Sequence, residues 1–178
     1  MVIEVSYKKV RYKCDLRRPL DISIPMGQVR CLYAPEVKLT PFESGDFIGS
    51  VRAGAPVNFY NVGLNPHGNG THTEGLGHIT LDQEPLSACL TQYHFISQLI
   101  SVEIEQLDNE DWVISESELK RKYSNKDAEA LILRTLPNTT DKTTKDYSGT
   151  NPPYLTEDAM KFIVSKGVKH LLIHLPSV

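Results

Sequence analysis

Cysteine is scarce in this chain, with only Cys14, Cys31 and Cys89 among 178 residues and no CxxC pair. An odd number of widely spaced cysteines is not typical of a disulfide framework or of a cysteine-ligated zinc site. The sequence therefore argues against both classes of protein, and any metal site has to use other ligands.

Long apolar runs and an excess of basic charge are also missing. No apolar stretch approaches the roughly 20 residues that span a bilayer, and the charged residues from Met1 to Val10 leave no apolar core for a signal peptide. The formal net charge of -3 gives no basic face for nucleic acid or for an anionic membrane. We therefore expect a cytoplasmic protein without a nucleic-acid or membrane partner.

The composition is that of an ordinary globular protein. A chain of 178 residues that is 40% hydrophobic and 23% charged is long enough for one domain with a buried core. No composition shift or internal repeat marks a boundary, so the sequence predicts a single domain over residues 1–178.

The first half of the chain is rich in predicted strands. Alternation of apolar and polar residues predicts a strand or hairpin over Val2 to Leu16 and further strands over Leu20 to Ile24, Val57 to Val62 and Phe95 to Leu107. The glycines and prolines between Gly27 and Pro56 indicate loops with short strands.

The second half predicts helices alternating with apolar strands. Ser115 to Glu118 matches a capping box, in which the serine caps a helix and the glutamate reaches back to it. A second helix begins after Thr156 and stops at Gly167. Strands are predicted at Ala130 to Leu136 and Val168 to Leu175, with a long loop over Pro137 to Tyr154. Strand, helix and strand in this order predict a parallel pair with a right-handed crossover, and hence an α/β fold with a mixed sheet.

Three of the six histidines fall within the twelve residues from His67 to His78. In an extended segment the side chains at i and i+2 share a face, so His72 and Glu74 are expected to point at one ion, and His78 has the same parity. Two imidazoles with a carboxylate form a suitable ligand set for zinc or manganese.

Other interpretations of this segment are weaker. A polar, glycine-rich surface loop that carries histidines by chance remains the simplest alternative. The glycines are not spaced as GxGxxG, since Thr73 holds the third position, and the HExxH pattern of zinc proteases is absent.

The segment Gly70-Thr71-His72-x-Glu74-x-x-x-His78 resembles the HxGTHxDxPxH signature of the metal-dependent cyclase family, which includes bacterial kynurenine formamidases and relatives of isatin hydrolase. Asp21-Ile-Ser-Ile-Pro25 resembles the early DLS-type strand of that family, and Leu175-Pro-Ser-Val178 resembles its TPSVD segment. The resemblance implies a swivelling β/β/α fold and a homodimer or tetramer.

The same resemblance implies roles for the matching residues. His72 and Glu74 correspond to metal ligands, and His78 corresponds to the catalytic histidine that moves protons while metal-activated water attacks a carbonyl. The first histidine of the motif falls at Gly68, and His67 lies one residue earlier, at the wrong parity for a plain strand. A bulge at Gly68 or Gly70 would turn His67 inward as a further ligand.

Two departures from the family pattern affect these expectations. Glu74 replaces an aspartate and Leu76 replaces a proline, which alters the geometry more than the chemistry. Family members also continue past the segment that matches Val178 and supply another histidine and an acidic ligand there, so this chain is expected to lack that C-terminal part.

Residues outside the motif are candidates for substrate binding. Phe59 would line a pocket for a planar substrate, although an aromatic residue in a strand is more often part of the core. His174 stands at the carboxyl end of the last predicted strand, where α/β proteins tend to place their sites. His94 is expected to be structural and His170 to lie on the surface.

Three functions are compatible with these residues. The first is an arylformamidase-like hydrolase that converts N-formylkynurenine to kynurenine and formate. The second is a lactone or cyclic-imide hydrolase with the same site. The third is a binding protein that holds the metal without turnover, and it differs from the other two in having an incomplete set of catalytic groups.

Overall fold

The computed structural model describes residues 1–178, which form two compact units. We call Met1–Ile22, Thr73–Thr139 and Asn151–Val178 the sheet unit, and Ser23–His72 with Thr140–Thr150 the loop unit. The prediction of a single domain stays a prediction, because a division into compact units does not by itself define separate domains.

The chain combines short strands and four α-helices in a mixed α/β arrangement, as predicted. The strands are β1 (Val2–Tyr7), β2 (Val10–Asp15), β3 (Lys38–Pro41), β4 (Glu43–Ser44), β5 (Phe47–Ile48), β6 (Tyr60–Gly63), β7 (Ser97–Glu103), β8 (Glu105–Gln106), β9 (Trp112–Ile114), β10 (Ala130–Leu136), β11 (Tyr154–Leu155) and β12 (His170–Ile173). The α-helices are α1 (Pro66–Asn69), α2 (Leu86–Cys89), α3 (Glu116–Lys122) and α4 (Glu157–Ser165). None of these helices has the length and apolar content needed to cross a membrane.

The core of the sheet unit is a three-stranded parallel sheet in the order β12, β10, β7. The predicted parallel pairing of the last two long strands is confirmed, since Ala130 pairs with His170 and Leu133 with Ile173. Apolar side chains of this sheet pack with those of α3 and α4 in one buried cluster: Ile100, Val102, Ile114, Leu119, Leu131, Leu133, Leu155, Ala159, Phe162 and Ile163.

The two longest helices, α3 and α4, begin at the predicted residues. Thr156 Oγ1 accepts a hydrogen bond from Ala159 N at 3.2 Å at the start of α4, and Gly167 has the left-handed φ of 72° that ends it. Ser115 Oγ accepts from Glu118 N at 3.4 Å at the start of α3. The Glu118 carboxylate accepts from Glu103 N at 2.9 Å, so the predicted capping box is only half formed and the glutamate links α3 to β7.

The remaining strands form short ribbons. β1 and β2 pair as the predicted hairpin, and β8, β9 and β11 form a second sheet with one antiparallel and one parallel pairing. In the loop unit β3 pairs with β6, and β4 with β5.

The predicted strand over Leu20 to Ile24 is wrong. These residues have no regular structure, and the Ile24 N–H is taken by Thr71 Oγ1 at 2.8 Å. A side-chain oxygen thus replaces the ladder partner that a strand at this position requires.

Candidate metal centre

The segment from His67 to His78 consists of two helical turns with an irregular stretch between them. At its start Asn65 is the N-cap of α1 and accepts from Gly68 N at 3.3 Å, and Pro66 occupies the first turn. At its end Leu76–His78 form a 3-10 turn. The parity argument from an extended strand therefore does not hold across the whole segment, because a helical turn rotates each side chain by about 100° per residue rather than 180°.

Three side chains of the segment present their ligand atoms together. One atom each from His67, Glu74 and His78 lie within 4.8 Å of one another, so the group could hold a metal ion. Within it, His78 Nε2 lies 3.7 Å from Glu74 Oε1. Two imidazoles and a carboxylate fit zinc or manganese by donor chemistry and separation.

His67 belongs to this group, although in an extended strand its odd spacing from His72 would point the two side chains to opposite faces. The extra residue relative to the family motif is accommodated in the helical turn α1 and not in the β-bulge that the sequence suggested. No side chain fits at Gly68, because a Cβ there would lie 2.1 Å from Ala34 Cβ and 3.1 Å from Cys31 O. The histidine that the resemblance expects at Gly68 therefore has no room, and His67 supplies an imidazole from the preceding position.

His72 lies directly beside His67. The two rings meet edge to face with centroids 5.0 Å apart, and His72 Nδ1 is 2.9 Å from Gly70 O. Because a carbonyl oxygen only accepts, the Nδ1 atom carries the hydrogen, and the lone pair of a neutral ring is on Nε2. Metal-binding histidines are commonly oriented in this way, with one ring nitrogen bonded to a backbone carbonyl.

A tight turn holds His78. The His78 N–H donates to Gly75 O at 3.0 Å, and a Cβ on Gly77 would lie 2.2 Å from Glu84 O. The backbone of Glu84 thus packs directly against Gly77, the central residue of the turn Leu76–His78. Roughly 45% of the His78 side chain is exposed to solvent, so a proton on this ring can exchange with water.

The predicted substrate-binding residues have defined partners of their own. Phe59 packs against Phe42 with ring centroids 5.0 Å apart and remains half exposed. His174 Nε2 accepts from Thr135 N at 2.7 Å and also contacts Thr135 Oγ1. The roles of both residues toward a substrate stay predictions. Among the other histidines, His170 stacks on Phe95 with centroids 3.7 Å apart.

Residues that the sequence did not single out hold the backbone around His67 in place. Cys31 Sγ donates to His67 O at 3.1 Å, and burial raises the pKa of this thiol, with the charge of Asp146 adding to the effect. Asn69 is buried, accepting from Asn65 N and donating to Pro35 O. The Asn65-Pro66 pair is a helix-start signal that would have located α1, whereas no local signal identifies Cys31 as its partner.

A polar cleft of about 360 Å³ lies within the loop unit. Its walls include Arg30, Glu36, Lys145 and Asp146 together with Asn69. Charged walls of this kind favour a polar occupant, so this cleft does not provide the apolar pocket expected for a planar substrate.

Comparison with known protein families relates most of the chain to one of them. The family model named Cyclase, with the description "Putative cyclase", matches residues 15–178, a range that contains the entire histidine segment and all four α-helices. No curated protein matches the chain.

Proposed function

We propose that this chain, which belongs to the cyclase family, is a metal-dependent hydrolase of a small amide, similar in chemistry to an arylformamidase. The observation that carries the proposal is the convergence of His67, Glu74 and His78 within one short segment. Family membership adds the expected reaction class, and with it a swivelling β/β/α fold and a homodimer or tetramer as further parts of the proposal. A cytoplasmic location, expected from the sequence composition, is also part of it.

Zinc or manganese is the proposed cofactor, with His67, His72 and Glu74 as its ligands. His72 lies outside the group of His67, Glu74 and His78, and it enters the proposal because its ring contacts that of His67 and because it matches the family motif. The hydrogen bond from His72 Nδ1 to Gly70 O orients that ring so that Nε2 faces away from its own backbone. The chemistry supplied by such an ion, when bound, is Lewis-acid polarisation of a carbonyl and activation of water.

His78 is the proposed proton carrier. It lies close enough to Glu74 to share a site with the ion, and its exposure allows it to return a proton to solvent. An imidazole can accept a proton from the attacking water and then donate one to the leaving amine, and general acid-base catalysis of this kind typically contributes about 10²- to 10⁴-fold. Phe59 and His174 are the proposed contacts to the substrate.

The test measures bound metal and hydrolysis on the same samples. The purified parent is expected to contain about one equivalent of zinc or manganese and to hydrolyse N-formylkynurenine. His78→Ala is expected to keep the metal and lose about 10²- to 10⁴-fold in turnover. His94→Ala is the matched control, because this exposed histidine lies outside the cluster, and it is expected to change neither quantity.

Three results would change the proposal. A parent that binds no transition metal and shows no rise in melting temperature with either ion would overturn it. Metal binding without hydrolysis of formamides, lactones or cyclic imides would make the protein a metal-binding member without turnover. Loss of metal in His78→Ala would make His78 a ligand, and His174 would then be the first candidate for the proton carrier.

A further inference from the structure

The helix that carries His67 is too short to be stable by itself. A single turn such as α1 satisfies almost none of its own carbonyls, and isolated helices of this length do not form in water. Its last three carbonyls instead accept hydrogen bonds from one segment of the loop unit. Cys31 Sγ donates to His67 O at 3.1 Å, Cys31 N to Gly68 O at 3.0 Å, and Gly27 N to Asn69 O at 2.7 Å.

Packing fixes the same helix from the side. Gly68 is buried against Ala34, and the space between them does not admit a methyl group, because a Cβ on Gly68 would lie 2.1 Å from Ala34 Cβ. Ala34 and Cys31 are themselves linked, because Ala34 N donates to Cys31 O at 3.0 Å. The turn Cys31–Ala34 therefore touches α1 both by hydrogen bonds and by direct contact.

The side chain of Asn69, the last residue of α1, reaches back to the N-cap residue Asn65 and also bonds to Pro35. It is 1% exposed, its Oδ1 accepts from Asn65 N at 2.7 Å, and its Nδ2 donates to Pro35 O at 3.0 Å. A buried amide with these partners resists displacement, since breaking either bond would leave a polar group unsatisfied.

We propose that the turn Cys31–Ala34 positions His67 for metal binding, with Cys31 and Ala34 as positioning residues that do not contact the metal themselves. This inference rests on the proposed function, because it assumes that His67 is a ligand. Cys31 holds the carbonyl of His67 and that of the next residue, while Ala34 sets how closely α1 approaches. A ligand held in place before the metal arrives gives up less conformational freedom on binding.

The experiment is a calorimetric titration of the metal-free protein with zinc chloride. Gly68→Ala is expected to weaken zinc binding about 10- to 100-fold, the range typical when a residue that orients a ligand is lost. The swap variant Ala34→Gly with Gly68→Ala moves the methyl group to the other side of the contact and is expected to restore affinity to within about threefold of the parent.

Gly63→Ala is the matched control. It lies in the same unit, and a Cβ there meets only Lys38 Cβ at an ordinary 3.8 Å, so zinc affinity should not change. In a His67→Ala background, Gly68→Ala should have no further effect on affinity. An equal loss in both backgrounds would overturn the inference, because the turn would then act on the site without involving His67.

If Gly68→Ala does not fold, Cys31→Ala and Cys31→Ser replace it. The alanine variant removes the hydrogen bond to His67 O and should weaken zinc binding by about two- to tenfold, whereas serine keeps a donor and should recover most of the affinity. Equal affinities in the parent and in both variants would overturn the role of Cys31.

A parent that binds neither zinc nor manganese overturns the proposed function but still allows a decision on the inference. Because the rings of His67 and His72 meet edge to face with centroids 5.0 Å apart, their ring-current effect is expected to shift the NMR signals of the ring protons of His67 and His72 without any metal. Gly68→Ala should change that shift and the swap variant should restore it. An unchanged shift in Gly68→Ala would show that the turn does not position His67.

Discussion

In the sheet unit, buried apolar side chains surround a parallel sheet, whereas in the loop unit hydrogen bonds between short segments fix the chain. All ten residues of the apolar cluster belong to the sheet unit. The strands of the loop unit are exposed instead, with Leu39 of β3 at 64% and Val62 of β6 at 58%.

The buried residues of the loop unit are small or polar. The buried side chains of that unit are Cys31, Ala34, Ser50 and Asn69. All of these except Ser50 lie in α1 or in the turn Cys31–Ala34 that contacts it. The comparison indicates a division in which apolar burial in the sheet unit supplies most of the stability and hydrogen bonds in the loop unit fix the position of His67. The following predictions test whether that division holds, from the largest expected effect to the smallest.

The largest effect is expected at the centre of the sheet unit. Leu131→Ala removes a side chain that is 1% exposed on the middle strand of the sheet, and loss of its contacts should lower the free energy of unfolding by about 2–5 kcal/mol. Urea denaturation followed by circular dichroism measures this change. Leu39→Ala in the loop unit is the control and should stay within about 0.5 kcal/mol of the parent.

Zinc affinity measured well below the unfolding transition should be the same in Leu131→Ala and in the parent. A comparable destabilisation by both leucine variants would mean that the loop unit is held by apolar burial as well, and the division would fail.

A smaller effect of opposite sign is expected in the strained turn beside Gly68. Leu32 and Tyr33 have φ values of 56° and 54°, a left-handed region that costs non-glycine residues about 1–2 kcal/mol each. Leu32 is largely exposed, so Leu32→Asn should lose little packing while adopting this conformation more easily, and should raise the free energy of unfolding by about 0.5–1 kcal/mol.

Leu39→Asn is the matched control for this prediction. Leu39 is also exposed but lies in the extended strand β3, where asparagine is unfavourable, so no gain is expected. If Leu32→Asn destabilises the protein, the Leu32 side chain makes a contribution that outweighs the backbone strain.

Periodicity in the sequence predicted the sheet unit better than the loop unit. The strand Ala130–Leu136 and the start of α4 after Thr156 were located to the residue, because burial of one face and a capping side chain leave a local pattern. The predicted strand at Leu20 to Ile24 includes the end of the first sheet-unit segment and the start of the loop unit. It failed because a side chain 47 residues away takes the N–H of Ile24, in the loop unit, and no local pattern records such a partner.

The candidate site shows the same limit. Residue types and spacing identified His72, Glu74 and His78 as candidates, and the family resemblance added His67. The strand geometry assumed for them did not apply, because helical turns lie at both ends of the segment. The turn at Cys31 acts through a hydrogen bond between residues 36 positions apart. Its contribution depends on the folded chain, so only the structure identifies it.

The smallest effect is expected from an exposed ion pair that holds two segments of the loop unit together. The Arg30 guanidinium donates to the Asp146 carboxylate, with Nε 2.9 Å from Oδ2, and Ser148 N donates to Oδ1 at 2.9 Å. The bond from Arg30, followed by that from Ser148, lowers the pKa of Asp146 from its ordinary 3.8 to about 2. Because the pKa is lower in the folded protein, the pair stabilises the fold fully above pH 3.8 and loses that effect as the pH falls through about 2.

Asp146→Asn should therefore have a lower melting temperature than the parent at neutral pH, and the difference should shrink between pH 3.8 and pH 2. Salt should reduce the difference as well, since both side chains are about 40% exposed and screened by solvent. Melting temperatures from pH 6 to pH 2 at two ionic strengths measure both trends, and Arg30→Gln should give the same flattening by removing the other partner. If the difference between the parent and Asp146→Asn stays constant as the carboxylate becomes protonated, the ion pair does not stabilise the loop unit. The order of its segments then comes from the uncharged hydrogen bonds alone, such as that from Tyr147 N to Arg30 O at 2.7 Å.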